Sequence, residues 1–104
     1  MSDISRLHRA LIARVLADDA KAPIALRRAA FENTGLGEPL RTLVEKVALH
    51  ATEVSDDDVA AVRAAGLTED QIFEIVVCAA VGQGTRQYSA ALDALARATK
   101  GSER

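Results

Sequence analysis

Residues 75–81, IVVCAAV, are apolar without interruption, and no other feature of the chain constrains its fold as strongly. Over nearly two helical turns such a run leaves no side for water, so other elements must wrap it. It marks a central helix. The flanking residues supply the punctuation. Thr68 stands three residues before Gln71, and Ser55 three before Asp58, so each pair can form a capping box that satisfies orphan N–H groups at a helix start. Gly66 falls between them as a turn residue. Residues 55–88 thus predict two helices joined by one tight turn, with the second helix as the centre of the fold.

The rest of the chain repeats the helical pattern. Ile4, Leu7, Leu11, Ile12, Val15 and Leu16 recur at three- and four-residue steps, which predicts an amphipathic helix over about residues 3–18. Arg6, Arg9 and Arg14 fall outside this stripe, and His8 is expected on the surface beside it. These arginines resemble the pattern of a transit peptide, but Asp3, Asp18 and Asp19 oppose that reading, so the segment is taken as a structural helix. Pro23 suits the first turn of a second helix whose apolar side is Ile24, Ala25, Leu26, Ala29, Ala30 and Phe31. Asn33, Thr34 and Gly35 stop it, and residues 35–39, GLGEP, form a connecting loop. Leu40, Leu43, Val44, Val47 and Ala51 define a third helix. A fourth covers residues 56–65, with Asp56, Asp57 and Asp58 at the positive end of its dipole. The fifth starts at Glu69 and extends to about Thr99, with Gly82 and Gly84 as places where it bends or breaks in two. Residues 100–104 are expected to fray. The expectation is one all-α domain over residues 1–104, a compact bundle of about five to six helices.

Composition narrows the partners. Thirteen Lys and Arg against fifteen Asp and Glu leave a formal charge of −2, which provides no field for nucleic acid or an anionic membrane. A helix-turn-helix reader of DNA is excluded by Glu69, Asp70 and Glu74, which would repel phosphate where a recognition helix needs basic or polar groups. No apolar run approaches the roughly 20 residues of a spanning helix. The single Cys78 rules out an internal disulfide and a multi-cysteine zinc site, and a reducing cytoplasm is the simplest setting. The acidic triplet at residues 56–58 lacks the alternating ligands, central glycine and distant glutamate of a calcium loop, so helix capping explains it better than a metal. No metal and no cofactor is expected.

Chemistry has one natural place, residues 82–88, GQGTRQY, where polar and small residues replace the apolar run. Three readings compete. A phosphate loop would need a strand before the glycines, and here a helix precedes them. A packing reading notes that Glu74, Cys78, Gly82, Thr85 and Ser89 form a stripe of mostly small side chains, along which a helix or a second subunit can approach closely. A site reading gathers Gln83, Arg86, Gln87, Tyr88 and His50 around a partly enclosed pocket, with Glu45, Asp57 or a bound anion as the partner that a buried guanidinium requires. Cys78 lies in the apolar run and is a poor nucleophile, so a Cys78–His50 dyad is disfavoured.

The segment DVAAVRAAGLTEDQIFEIVVCAAV resembles the helical hairpin of alkylhydroperoxidase D-like proteins, the superfamily that includes carboxymuconolactone decarboxylases. The resemblance covers about the second half of the chain and is most specific at Ala65-Gly66-Leu67-Thr68-Glu69. It implies an all-α fold and a homo-oligomer. Redox members of the family carry Cys-x-x-Cys and a histidine four residues after the second cysteine. Aligned without gaps on the turn, those positions are Ala51, Val54 and Asp58. With no attacking and no resolving thiol, peroxidase chemistry is not available. The resemblance therefore implies a non-redox scaffold, structural or binding a small ligand as a homo-oligomer. The alternative is a cofactor-free enzyme of the decarboxylase type, in which Arg86 holds a small organic acid and Gln83, Tyr88 or His50 assists.

Overall fold

The computed structural model describes residues 2–17 and 20–102, without the side chains of residues 2, 4, 101 and 102. The expected all-α class is what the chain adopts. Helices α1 (Ser2–Val15), α2 (Ile24–Glu32), α3 (Leu40–Leu49), α4 (Asp56–Ala64) and α5 (Glu69–Ser102) are the regular elements, with a 3₁₀ turn at Ala51–Glu53. No described helix is long and apolar enough to cross a membrane. The 34 residues of α5 are unbroken by Gly82 and Gly84, and at about 1.5 Å per residue they account for most of the 58 Å long axis of the molecule. Lys100 to Ser102, part of the tail expected to fray, continue α5, and the last two residues lie outside the described ones.

Both capping boxes form. The Ser55 N–H donates to Asp58 Oδ2 at 2.9 Å while the Asp58 N–H donates to Ser55 Oγ at 3.3 Å. The Thr68 N–H and Gln71 Oε1, and the Gln71 N–H and Thr68 Oγ1, pair at 3.0 and 3.1 Å. Gly66 takes φ +110°, a left-handed conformation open to glycine and strained for other residues.

The run at 75–81 is wrapped on most sides. Ile75, Cys78 and Ala79 are buried with Ala30, Leu43, Val44 and Val62 from α2, α3 and α4, although Ala80 remains exposed and Phe73, just before the run, is 65% exposed. All four other helices pack on α5, and the contacts of three of them show how they run. α1 runs antiparallel to it, because the early His8 meets Thr85 and the late Val15 meets Cys78. α2 runs parallel, since the residues ahead of it meet Glu74 and its last turn meets Gly82. α4 packs back across the Gly66 turn, and Lys46 on α3 holds it through an ion pair to Asp58 at 2.9 Å.

The face of α1 differs from the expectation. Leu7 and Leu11 are exposed, while His8 and Val15 meet α5 and Ile12 between them is half-buried. These three lie at i, i+4 and i+7 and so share one side of a helix, one step round from the purely apolar stripe. In α2 the buried residues are Arg27 and Ala30, so a guanidinium occupies the side expected to be apolar.

Candidate functional site

Residues 82–88 sit halfway along α5, where the end of α2 and the middle of α1 meet it. Gly82 is buried, and a Cβ built on it would lie 1.8 Å from the Phe31 carbonyl oxygen. The last turn of α2 therefore rests directly on the backbone of α5. The Asn33 and Thr34 N–H groups cap the Ala29 and Ala30 carbonyls, and the Phe31 carbonyl still needs a donor. Arg86 provides one: Nη1 donates to Phe31 O at 2.5 Å and Nη2 to Gln83 Oε1 at 3.0 Å. A cation is thus held at the negative end of the α2 dipole. The expected partners Glu45 and Asp57 take no part. Glu45 faces the loop after α2, and Asp57 is exposed in the first turn of α4.

The other candidate residues lie elsewhere. Gln87 is exposed. Tyr88 turns to α1 and stacks on His8, with ring centroids 5.3 Å apart and an interplanar angle of 21°. Its hydroxyl is buried without a hydrogen-bond partner. His50 caps the end of α3, is exposed, and places Nδ1 3.4 Å from Glu53 Oε2. The five residues grouped in sequence as one pocket thus divide between the α2 end, the α1 face, open solvent and the end of α3. Three concavities on the surface, of about 520, 310 and 320 Å³, involve none of them. Nor do Cys78 and His50 form a dyad. The Cys78 thiol donates to the Val15 carbonyl at 3.4 Å, and its burial raises its pKa, opposed in part by the charge of Arg27. It stays a thiol at neutral pH.

The small-residue stripe of α5 is filled from within the chain up to Thr85, and Ser89 is exposed. Glu74 accepts from the backbone N–H groups of Lys21 and Ala22 at 3.1 and 2.6 Å. Cys78 faces Val15, Gly82 faces Phe31, and Thr85 faces His8. Thr85 Oγ1 donates to the Val81 carbonyl at 2.7 Å, so it accepts from His8 Nε2 at 2.9 Å, which places the imidazole proton on that nitrogen.

Two residues here were not legible as site members. The pattern of α1 alone puts His8 on the surface. Arg27 is 1% exposed and donates from Nε to Ala22 O at 2.9 Å and from Nη1 to Val15 O at 3.0 Å. The signal for Arg27 was its position in the series Ile24, Arg27, Ala30, Phe31, which shares one helical side. Among the described residues no group of three His, Cys, Asp or Glu side chains could hold a metal ion. Where the resemblance places the redox residues stand an exposed Ala51, a half-buried Val54 and Asp58. Asp58 is engaged by Ser55 and by Lys46, whose ammonium holds its carboxyl below the ordinary aspartate range.

No family model, no curated protein and no solved structure matches the chain. The arrangement at residues 82–88 can be judged on its chemistry alone. It joins the end of α2 and the middle of α1 to α5, and its guanidinium is engaged by Phe31 O and Gln83.

Proposed function

We propose that this chain is a non-redox helical protein of the alkylhydroperoxidase D-like type, with a structural role that it performs as a homo-oligomer in the cytoplasm. One observation carries the choice over an enzyme acting on a small organic acid. Arg86, the only cation among the candidate pocket residues, donates to the Phe31 carbonyl and to Gln83, where an acid-binding arginine would face a cavity. Two neutral acceptors leave its charge without a carboxylate, but the α2 dipole supplies the complementary partial charge. The alanine-rich composition and the unbroken α5 suit a rigid scaffold better than a pocket.

Arg86→Ala separates the two readings. In the structural one it lowers stability by about 1 kcal/mol, the contribution of one hydrogen bond from a charged donor at a partly solvated helix end. Native mass spectrometry of the wild-type protein incubated with small mono- and dicarboxylates then shows no retained acid. A bound carboxylate that disappears in Arg86→Ala would overturn the reading in favour of a ligand-binding or decarboxylase-type protein.

A further inference from the structure

A cavity of about 310 Å³ opens between the chain leaving α2 and one side of α3. That volume is at the lower end of small-molecule sites, which run from roughly 300 to 1,000 Å³. The first wall is fixed by backbone. Asn33 turns the chain out of α2 at φ +52°, and the N–H groups of Asn33 and Thr34 close on Ala30 O and Ala29 O at 3.2 and 3.1 Å. Leu36 completes that wall. On the other wall Arg41, Glu45 and Leu49 follow at intervals of four residues, so they share one side of α3. Their charges are not matched within the protein. Glu45 makes no hydrogen bond or ion pair among the described residues. Arg41 stands four residues before Glu45, the less favourable order for a pair on a helix, and leans back instead, with Nε 3.7 Å from Glu38 Oε1. Both of its Nη groups lack an acceptor among the described residues, and the side chains of Asn33 and Thr34 lack partners as well. Glu38 is held in place as it accepts from the N–H and the hydroxyl of Thr42, each at 2.8 Å.

We propose that this cavity binds a small α-amino acid with an aliphatic side chain. The carboxylate of the ligand meets Arg41, which lies in the first turn of α3 where the helix dipole is positive. Its ammonium meets Glu45, about 6 Å further along the axis and clear of that positive end. The aliphatic group covers Leu49, which is otherwise 52% exposed, and reaches Leu36 across the cavity. Asn33 and Thr34 offer further hydrogen bonds to the zwitterion. Both charges of the ligand are needed. Glu38 and Glu45 flank a single guanidinium, so an anion without an ammonium is repelled, and an amine without a carboxylate sets a second cation beside Arg41. Arg41 and Glu45 are exposed and the cavity is small, so the affinity is modest, with Kd roughly 0.1–1 mM. The site shares no residue with the Arg86 contact and does not depend on how that contact is read.

Titration of the isotope-labelled full chain with leucine, followed by NMR from roughly 0.05 to 10 mM, brackets that affinity. Saturating amide shifts are expected around Asn33, Thr34, Leu36, Arg41, Glu45 and Leu49. Isocaproate, which lacks the ammonium, and isoamylamine, which lacks the carboxylate, should each bind roughly tenfold more weakly or worse. Arg41→Gln and Glu45→Gln change exposed side chains, so their circular dichroism should match wild type while leucine binding weakens roughly tenfold. In Glu45→Gln the preference for leucine over isocaproate should also vanish, a change that a merely structural role of Glu45 does not produce. Absence of leucine-dependent shifts at the highest concentration overturns the proposal. Either analogue binding as tightly as leucine overturns the amino-acid class. Shifts centred on Arg86 overturn this site, and their loss in Arg86→Ala would overturn the structural reading of that residue as well.

Discussion

Two glycines two residues apart on one helix should respond to the same substitution with opposite signs. Alanine in place of glycine inside a helix is favourable by roughly 0.5–1 kcal/mol when nothing else changes. Gly84 meets that condition, being exposed with no heavy atom within 4 Å of a built Cβ. Gly84→Ala should therefore stabilise by about that amount. At Gly82 the same Cβ would stand 1.8 Å from Phe31 O, 2.6 Å from its carbonyl carbon and 2.8 Å from its Cα, well inside the 3.4 Å at which ordinary contact begins. The obstacle is backbone, so no rotamer change relieves it. α2 must retreat by more than an ångström. The retreat opens the packing of Ala30 and Ala79, both fully buried, and stretches the bond from Arg86 to Phe31. Overpacking of this kind costs about 1–3 kcal/mol and more where the backbone must move, so after the propensity gain Gly82→Ala loses about 2–3 kcal/mol. For a domain of this size that is a fall of roughly 10–20 °C in melting temperature. Thermal melts and urea titrations of the two variants side by side provide the measurement. A Gly82→Ala protein as stable as wild type would refute the direct contact of α2 on α5, and a destabilised Gly84→Ala would refute the claim that its surroundings are open.

Two further substitutions probe polar groups. Asp58 is held below the ordinary aspartate value of 3.8 first by the Lys46 ammonium and then by the Ser55 N–H, so its contribution is complete above that value and lost as pH falls through the depressed one. Wild type should accordingly lose stability more steeply than Asp58→Asn in urea titrations taken from about pH 5 down to about pH 2, and parallel curves would show that the ion pair contributes nothing. The Tyr88 hydroxyl is buried without a partner, so Tyr88→Phe should be neutral or stabilising by up to about 1 kcal/mol, and a clear loss of stability would mean that the hydroxyl does find an acceptor in solution.

Helix starts and the α4–α5 turn were legible because their causes are local. Ser55 with Asp58 and Thr68 with Gln71 need only three-residue spacing, and Gly66 needs only its missing Cβ. The central place of residues 75–81 followed from an apolar run that no helix can leave in water. What escaped the sequence was the choice of neighbour. The stripe on α1 says which side is apolar, but the rotation that brings His8 inward depends on Thr85 and Tyr88, about 80 residues away. Arg27 and Arg86 escaped for a different reason. Both donate to backbone carbonyls, of residues 15 and 22 in one case and 31 in the other. Every residue carries a carbonyl, so such a partner leaves no mark in composition or spacing, whereas a carboxylate partner would have done so.

The same asymmetry explains why residues 82–88 look like a site. Upstream, α5 is flanked by the sides of other helices, which present aliphatic groups and select Ile75, Cys78 and Ala79. At Gly82 the neighbour becomes the end of α2, which presents the Phe31 carbonyl at close range. A helix end selects a residue with no side chain where it touches and a donor one turn later, and these are Gly82 and Arg86. The next neighbour is the polar His8, which selects the hydroxyl of Thr85 and the ring of Tyr88. A change from apolar to polar along one buried helix thus follows a change from helix side to helix end in what lies beside it.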